Sequence, residues 1–231
     1  ARLPYGDKNY SEIKNIANEV SEWFREEAIS ALLVGCNTTN SLAFDSLEKG
    51  LNVPVFGLLD AVGSMISEER IGVLATSATV TSNAYKDHIQ KIIPGAFVCQ
   101  QACPGFVPMI EKGNLTSEEL REMAIQYIKP LLQERVEAIV LGCSHYPLLR
   151  KLLEDLLPPD VRILDPAIGL VDRLDEFLGG FQSSIYSPKS LAKTRFCTTS
   201  HPHEFAHKAR SLLGVFPEVE LVSLRSKTCF F

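Results

Sequence analysis

Two cysteines, Cys36 and Cys143, stand in copies of one short signature, SALLVGCNTTN at 30–40 and EAIVLGCSHYP at 137–147. In each copy an apolar run ends in Gly-Cys and polar residues follow, so each thiol is expected where a strand hands over to a helix. The thiolate is the reactive form of cysteine, and the free N–H groups and dipole of a helix start favour it. Asn37, Thr38 and Thr39 after the first thiol, and Ser144 and His145 after the second, add donors of the kind that hold a carboxylate. Gly35 and Gly142 would leave room for a ligand beside the backbone. Inverting an α-carbon requires a base on one face and an acid on the other. Two opposed thiols can exchange those roles when the direction reverses, so the residues point to two-base proton transfer.

Blander readings compete with this one. A single Gly-Cys after a strand is more often a buried packing thiol, although two copies in equivalent surroundings argue against that here. A metal site built from Cys36, Cys143 and His145 lacks Cys-x-x-Cys or His-Glu-x-x-His spacing. His203 and His207, four apart in HPHEFAH, read as a surface or half-buried helix face. Cys99 and Cys103 read as packing residues, and the sequence suggests no partner for Cys197 or Cys229.

The elements that must position the thiols repeat as well. Upstream of the first lies a helical pattern opening at Ser11, with Ile13, Ile16, Ala17, Val20 and Phe24 on one face. Upstream of the second, Thr116 and Glu119 suggest a capping box, with Leu120, Met123, Ala124, Tyr127 and Leu131 inward. Downstream of each comes another helix-length stretch and a short apolar strand ending in aspartate, VPVFGLLD at 53–60 and VRILD at 161–165. Strands are expected at 30–35, 53–57, 70–75, 96–100, 137–142, 161–164, 194–198 and 219–224. They alternate with helices, which argues for an α/β fold with parallel sheets. HPHEFAHKARSLLG reads as a helix closed by Gly214. The duplication also predicts a first-half counterpart of RIGVLATSATV (70–80), which would stand before residue 1.

Composition narrows the function class. The chain has 231 residues, 45% of them hydrophobic, and a formal net charge of −5. No basic footprint for nucleic acid is present. The apolar runs are strand-length, and the first residues lack a signal-peptide core, so a cytoplasmic protein is expected. The six cysteines are scattered rather than packed as a disulfide framework, and they read as reduced thiols.

Pro4-Tyr5-Gly6, Cys36-Asn37-Thr38, the threonine-rich loop Thr76 to Thr79, CPGFVPMIE ending at Glu111, and GCSHYP at 142–147 together resemble the glutamate racemases. The resemblance covers nearly the whole chain. It implies two pseudo-symmetric flavodoxin-like domains with the active site in the cleft between them: residues 1–63, residues 64–172, and a segment 173–231 returning to the first. It also implies interconversion of L- and D-glutamate without any cofactor or metal, supplying D-glutamate for peptidoglycan. Carried over, Cys36 would act on D-glutamate and Cys143 on L-glutamate, with His145 and Glu111 assisting Cys143. Tyr5, Gly6, Asn37, Thr38, Thr79, Ser144 and His145 would bind substrate. The partner implied is glutamate, with neither nucleic acid nor membrane, and family members are often homodimers. Ser144 departs from the threonine usual in the family but keeps the hydroxyl. An N-terminal strand with an Asp-Ser-Gly loop is expected upstream of Ala1. The rivals are a racemase of another acidic amino acid, of the aspartate or hydantoin type, and a non-catalytic protein binding an acidic ligand in the same cleft.

Overall fold

The computed structural model describes residues 2–179 and 193–224; Ala1 and Cys229 lie outside them. The first half runs α1 (Tyr10–Glu26), β1 (Leu32–Val34), α2 (Asn37–Gly50), β2 (Val55–Gly57) and α3 (Leu58–Gly63). β1 and β2 pair in parallel, Leu32 opposite Val55 and Val34 opposite Gly57. α1 and α2 close over them around Ile13, Ala17, Leu32, Val34, Ala43 and Leu47. The first helix starts one residue earlier than expected because Asn9 caps it. The Asn9 Oδ1 accepts from Glu12 N at 3.0 Å, and the Glu12 carboxylate accepts from Asn9 N at 3.0 Å.

The second half comprises β3 (Arg70–Ala75), α4 (Ser77–Ser82), α5 (Ala84–Ile92), β4 (Phe97–Ala102), α6 (Phe106–Glu111), α7 (Glu118–Gln133) and β5 (Ala138–Gly142). A 3-10 turn (Tyr146–Leu149), α8 (Arg150–Leu156), β6 (Arg162–Leu164) and α9 (Pro166–Phe177) follow. Its four parallel strands lie in the order β4-β3-β5-β6. Every residue of β5 is buried, as is every residue of β3 after Arg70. Strands covered on both faces read as unbroken apolar runs, which is why IGVLA and AIVLG lack alternation. Tyr85 and Ile89 of α5 pack on one face of the sheet, against Val73 and Val140. On the other, Phe106, Leu120, Ile128 and Tyr146 build the larger core.

The capping box expected at Thr116 and Glu119 does not form. Ser117 caps α7 instead, its Oγ accepting from Leu120 N at 3.2 Å. A serine hydroxyl caps as well as a threonine. The start at Glu118 still buries Leu120, Ala124, Ile128 and Leu131.

The halves also meet through α3 and α9, which correspond in the duplication. Gly169 allows the contact, since a Cβ there would lie 2.5 Å from the carbonyl oxygen of Ala61. The last described elements are β7 (Phe196–Thr198), α10 (Pro202–Leu213) and β8 (Val219–Leu221), with β7 and β8 paired in parallel. Gly214 closes α10 in the left-handed conformation, φ 69°. Arg195 joins this segment to the end of α1, its guanidinium lying 2.6 Å from Glu27 and 2.8 Å from Glu220. Among the described residues no helix is long and apolar enough to cross a membrane.

Candidate active site

From β3 the chain steps outward to β4, then returns to the other side of β3 as β5. Loops leaving β3 and β5 therefore diverge and open a crevice beyond the strand ends, where ligands bind in sheets of this kind. Ala75 and Gly142 are register partners at that edge, and Thr76 and Cys143 are the next residues along each strand. Gly142 serves the strand contact rather than ligand space as expected: a Cβ there would lie 3.0 Å from both Ala75 Cβ and Leu74 O. Gly35 does face open space, with nothing within 4 Å of its Cβ position.

In the first half, Cys36 is the N-cap residue of α2, half-buried after β1. Asn40, one turn on, pins this corner. Its Nδ2 donates to Val34 O at 2.7 Å and Cys36 O at 2.8 Å, and its Oδ1 accepts from Leu58 N at 2.7 Å. Only glycine fits opposite it, because a Cβ on Gly57 would lie 2.3 Å from Asn40 Oδ1. Sequence reasoning passed over Asn40, although a second asparagine in CNTTN on the turn after the thiol was visible.

Asn37 bridges the halves. Turned so that every partner is satisfied, its Oδ1 accepts from the backbone N–H of Cys143 at 3.2 Å and of Ser144 at 3.1 Å, and its Nδ2 donates to the hydroxyl of Tyr85. Tyr85 is fully buried, and nothing in its SNAYK context announced this role. Beside the bridge, three buried hydroxyls form a triangle: Thr38 Oγ1 lies 3.1 Å from Thr76 Oγ1, Thr76 Oγ1 donates to Thr79 Oγ1 at 3.0 Å, and Thr79 Oγ1 to Thr38 Oγ1 at 3.5 Å. Thr79 is fully buried behind Thr38 and braces it. Gly6 O accepts from Ala78 N at 3.0 Å, and Gly6 has no Cβ to press on Thr76, 3.0 Å away. Tyr5 stands close to Cys36. Burial raises its phenol, and the charge that Cys36 would carry raises it further.

The second thiol sits in a different environment. Cys143 is 5% exposed, and burial pushes it up to about 12; a charge on Cys36 would push the same way, while the N–H groups of His145 and Tyr146 partly oppose this. Burial thus outweighs the donors expected to favour the thiolate, and a 3-10 turn of four residues rather than an α-helix follows. What Cys143 has instead is a side-chain relay. His145 Nδ1 lies 3.9 Å from Cys143 Sγ, and His145 Nε2 lies 2.7 Å from Glu111 Oε1 at the end of α6. Lys208 of α10 holds the Glu111 carboxyl below its usual range, with His145 adding to the effect and burial opposing it. Lys208 was not anticipated from the sequence. Ser144 is exposed at the mouth of the crevice. His203 and His207 lie on the exposed face of α10, and Cys103 is buried in the core beside Tyr146.

All ten expected site residues thus gather at one junction. It offers a thiol from each half, donors suited to carboxylates, and a histidine-carboxylate pair behind one thiol. Comparison with known proteins shows the family. The family profile described as Asp/Glu/Hydantoin racemase matches residues 1–174. A glutamate racemase from Prochlorococcus marinus (strain NATL2A) is 46% identical over 227 residues, 98% of this chain and 86% of its relative. One from Synechococcus sp. (strain CC9605) is 48% identical over 223 residues, 96% of this chain and 84% of that protein. Among solved structures, glutamate racemase from Francisella tularensis in complex with D-glutamate superposes with a TM-score of 0.84 at 28% identity, over 96% of this chain and 84% of that one. A chain that repeats one Gly-Cys corner in two halves, matches the family over residues 1–174 and aligns with a glutamate racemase over 98% of its own length belongs to the Asp/Glu/Hydantoin racemase family.

Proposed function

We propose that this protein interconverts L- and D-glutamate by a two-thiol, two-base mechanism, without a cofactor. Cys143 would take the α-proton of L-glutamate while Cys36 delivers one to the opposite face, and the roles would exchange for D-glutamate. Residues 1–63 with 173–231 would form one wall of the cleft, and 64–172 the other. Tyr5, Gly6, Thr38 and Ser144, with backbone N–H groups at the two corners, would hold the carboxylates. His145, backed by Glu111, would move the proton to and from Cys143. In a cytoplasmic setting the D-glutamate formed would feed peptidoglycan synthesis.

The observation that carries this reading is the convergence of the two duplicated thiol corners, bridged by Asn37 from one half to the Cys143 and Ser144 N–H groups of the other. The test takes as parent the chain extended by the strand and loop expected upstream of Ala1, and incubates it, Cys36→Ser and Cys143→Ser with each pure enantiomer in deuterated water, reading α-deuterium and chirality together. The parent should racemise either enantiomer, and inversion should collapse in both variants. Residual exchange without inversion should favour L-glutamate in Cys36→Ser and D-glutamate in Cys143→Ser, since a surviving thiol returns the proton to its own face. Substantial inversion by either variant would end the two-thiol mechanism.

A further inference from the structure

The carboxylate behind His145 is held from two sides. Glu111 Oε1 meets His145 Nε2 at 2.7 Å, and Glu111 Oε2 meets Lys208 Nζ at 2.5 Å. Lys208 comes from α10, which follows both duplicated halves, and its ammonium also lies 3.4 Å from Glu204 one turn earlier. The groups facing Glu111 are therefore the His145 imidazole from the loop after β5 and the Lys208 ammonium from α10, with Glu204 behind the lysine. The segment carrying Lys208 is anchored elsewhere, through Arg195 to Glu27 of α1. The relay thus reaches from a thiol of the second half to an element that also contacts the first.

We propose that Lys208 is a positioning residue for proton transfer at Cys143, fixing the Glu111 carboxylate so that its other oxygen aims His145 at the thiol. The inference rests on the racemase reading above. Glu111 ends a short helix and its side chain is 40% exposed, so the glutamate alone has several rotamers open to it. A cation on one oxygen selects the rotamer that presents the other to the imidazole. The same cation drains charge from the carboxylate and weakens its pull on the His145 N–H. Histidine then stays free to exchange a proton with the sulfur instead of being locked against glutamate. A plain surface ion pair would look similar in distance but would leave the chemistry untouched. Only a kinetic readout separates the two.

The experiment compares the parent chain, Lys208→Gln and Lys208→Arg, following kcat and KM for L-glutamate from about pH 5.5 to 9.5, with α-deuterium uptake from each enantiomer. Racemisation by the parent, which carries the strand expected upstream of Ala1, comes first: an inactive parent removes the racemase reading itself, and the Lys208 role with it. With an active parent, Lys208→Gln should lower kcat about five- to tenfold near neutral pH and change KM by less than about twofold, because the lysine does not touch substrate. The acid limb of its kcat profile should move to higher pH, because the carboxylate has lost the cation that keeps it ionised. Deuterium uptake from L-glutamate should slow more than uptake from D-glutamate. Lys208→Arg should restore the parent profile. Three results would overturn the role: a Lys208→Gln profile that superimposes on the parent's, one lowered equally at every pH without a shifted limb, or an arginine variant as impaired as the glutamine one.

Discussion

Burial of Cys143 makes a quantitative claim about its reactivity in the empty protein. Lifting this thiol from 9.0 to about 12 lowers its thiolate fraction at pH 8 by roughly a thousandfold. Native protein would be treated with limiting iodoacetamide at pH 8, quenched at intervals and digested. Labelling of the peptide that holds Cys143 would then be compared with the same peptide in urea-unfolded chain. The native rate should be slower by about three orders of magnitude on thiolate fraction alone, and slower still through limited access. The same shift links to stability. The folded-state value lies above the unfolded one, so the contribution is complete below pH 9.0 and is lost as pH rises towards about 12, because the unfolded chain releases the proton first. Across that window the parent should lose about 1.4 kcal/mol per pH unit that Cys143→Ser does not lose, measured by urea midpoints. Native labelling within tenfold of the unfolded rate, or parallel stability curves for parent and variant, would show that burial does not govern this thiol.

Other perturbations test the corners that hold the site. Tyr85→Phe keeps the buried ring but leaves the Asn37 amide without its partner, so urea unfolding should show a loss of about 1–3 kcal/mol and racemisation should slow in both directions. Unchanged stability would mean that Asn37 does not depend on Tyr85. Gly57→Ala forces a Cβ to within 2.3 Å of Asn40 Oδ1 and should cost about 1–3 kcal/mol with a displaced Cys36 corner, visible as a changed Cys36 alkylation rate. Gly169→Ala presses on the Ala61 carbonyl at 2.5 Å and should alter KM as well as stability, because it separates α3 from α9 where the halves meet. A variant with the parent's KM would mean that this contact does not set the cleft.

The repeated signature and apolar runs placed the strands well. β3 spans Arg70–Ala75 as expected, and β1, β5 and β6 lie inside their expected limits. The candidate site was legible where its residues lie in short local patterns, at Cys36, Asn37, Thr38, Cys143 and His145, which the fold brings to one junction. It was illegible where a side chain acts across distant elements. Tyr85 and Lys208 bear on the site only because α5 and α10 are folded against it, and their own neighbours carry no signature. The assumption that Cys143 resembles Cys36 also failed. The duplication preserves the strand but replaces the helix start with a 3-10 turn, and burial outweighs the backbone donors.

That lopsidedness meets a constraint from symmetry. Mirror-image amino acids have equal free energies in water, so the proposed reaction has an equilibrium constant of unity and kcat/KM must be identical for both enantiomers. Cys36 is half-buried at the head of a 14-residue helix, while Cys143 is buried and leans on His145 and Glu111. No difference of this kind can favour one enantiomer at low concentration. It can surface only as compensation, the more weakly held enantiomer turning over faster by the same factor. It also sets a resting state, since the empty protein keeps the proton on Cys143. In the proposed cycle L-glutamate would require the opposite protonation form, so the two forms would have to interconvert between turnovers in one direction, a step separate from the chemistry on carbon.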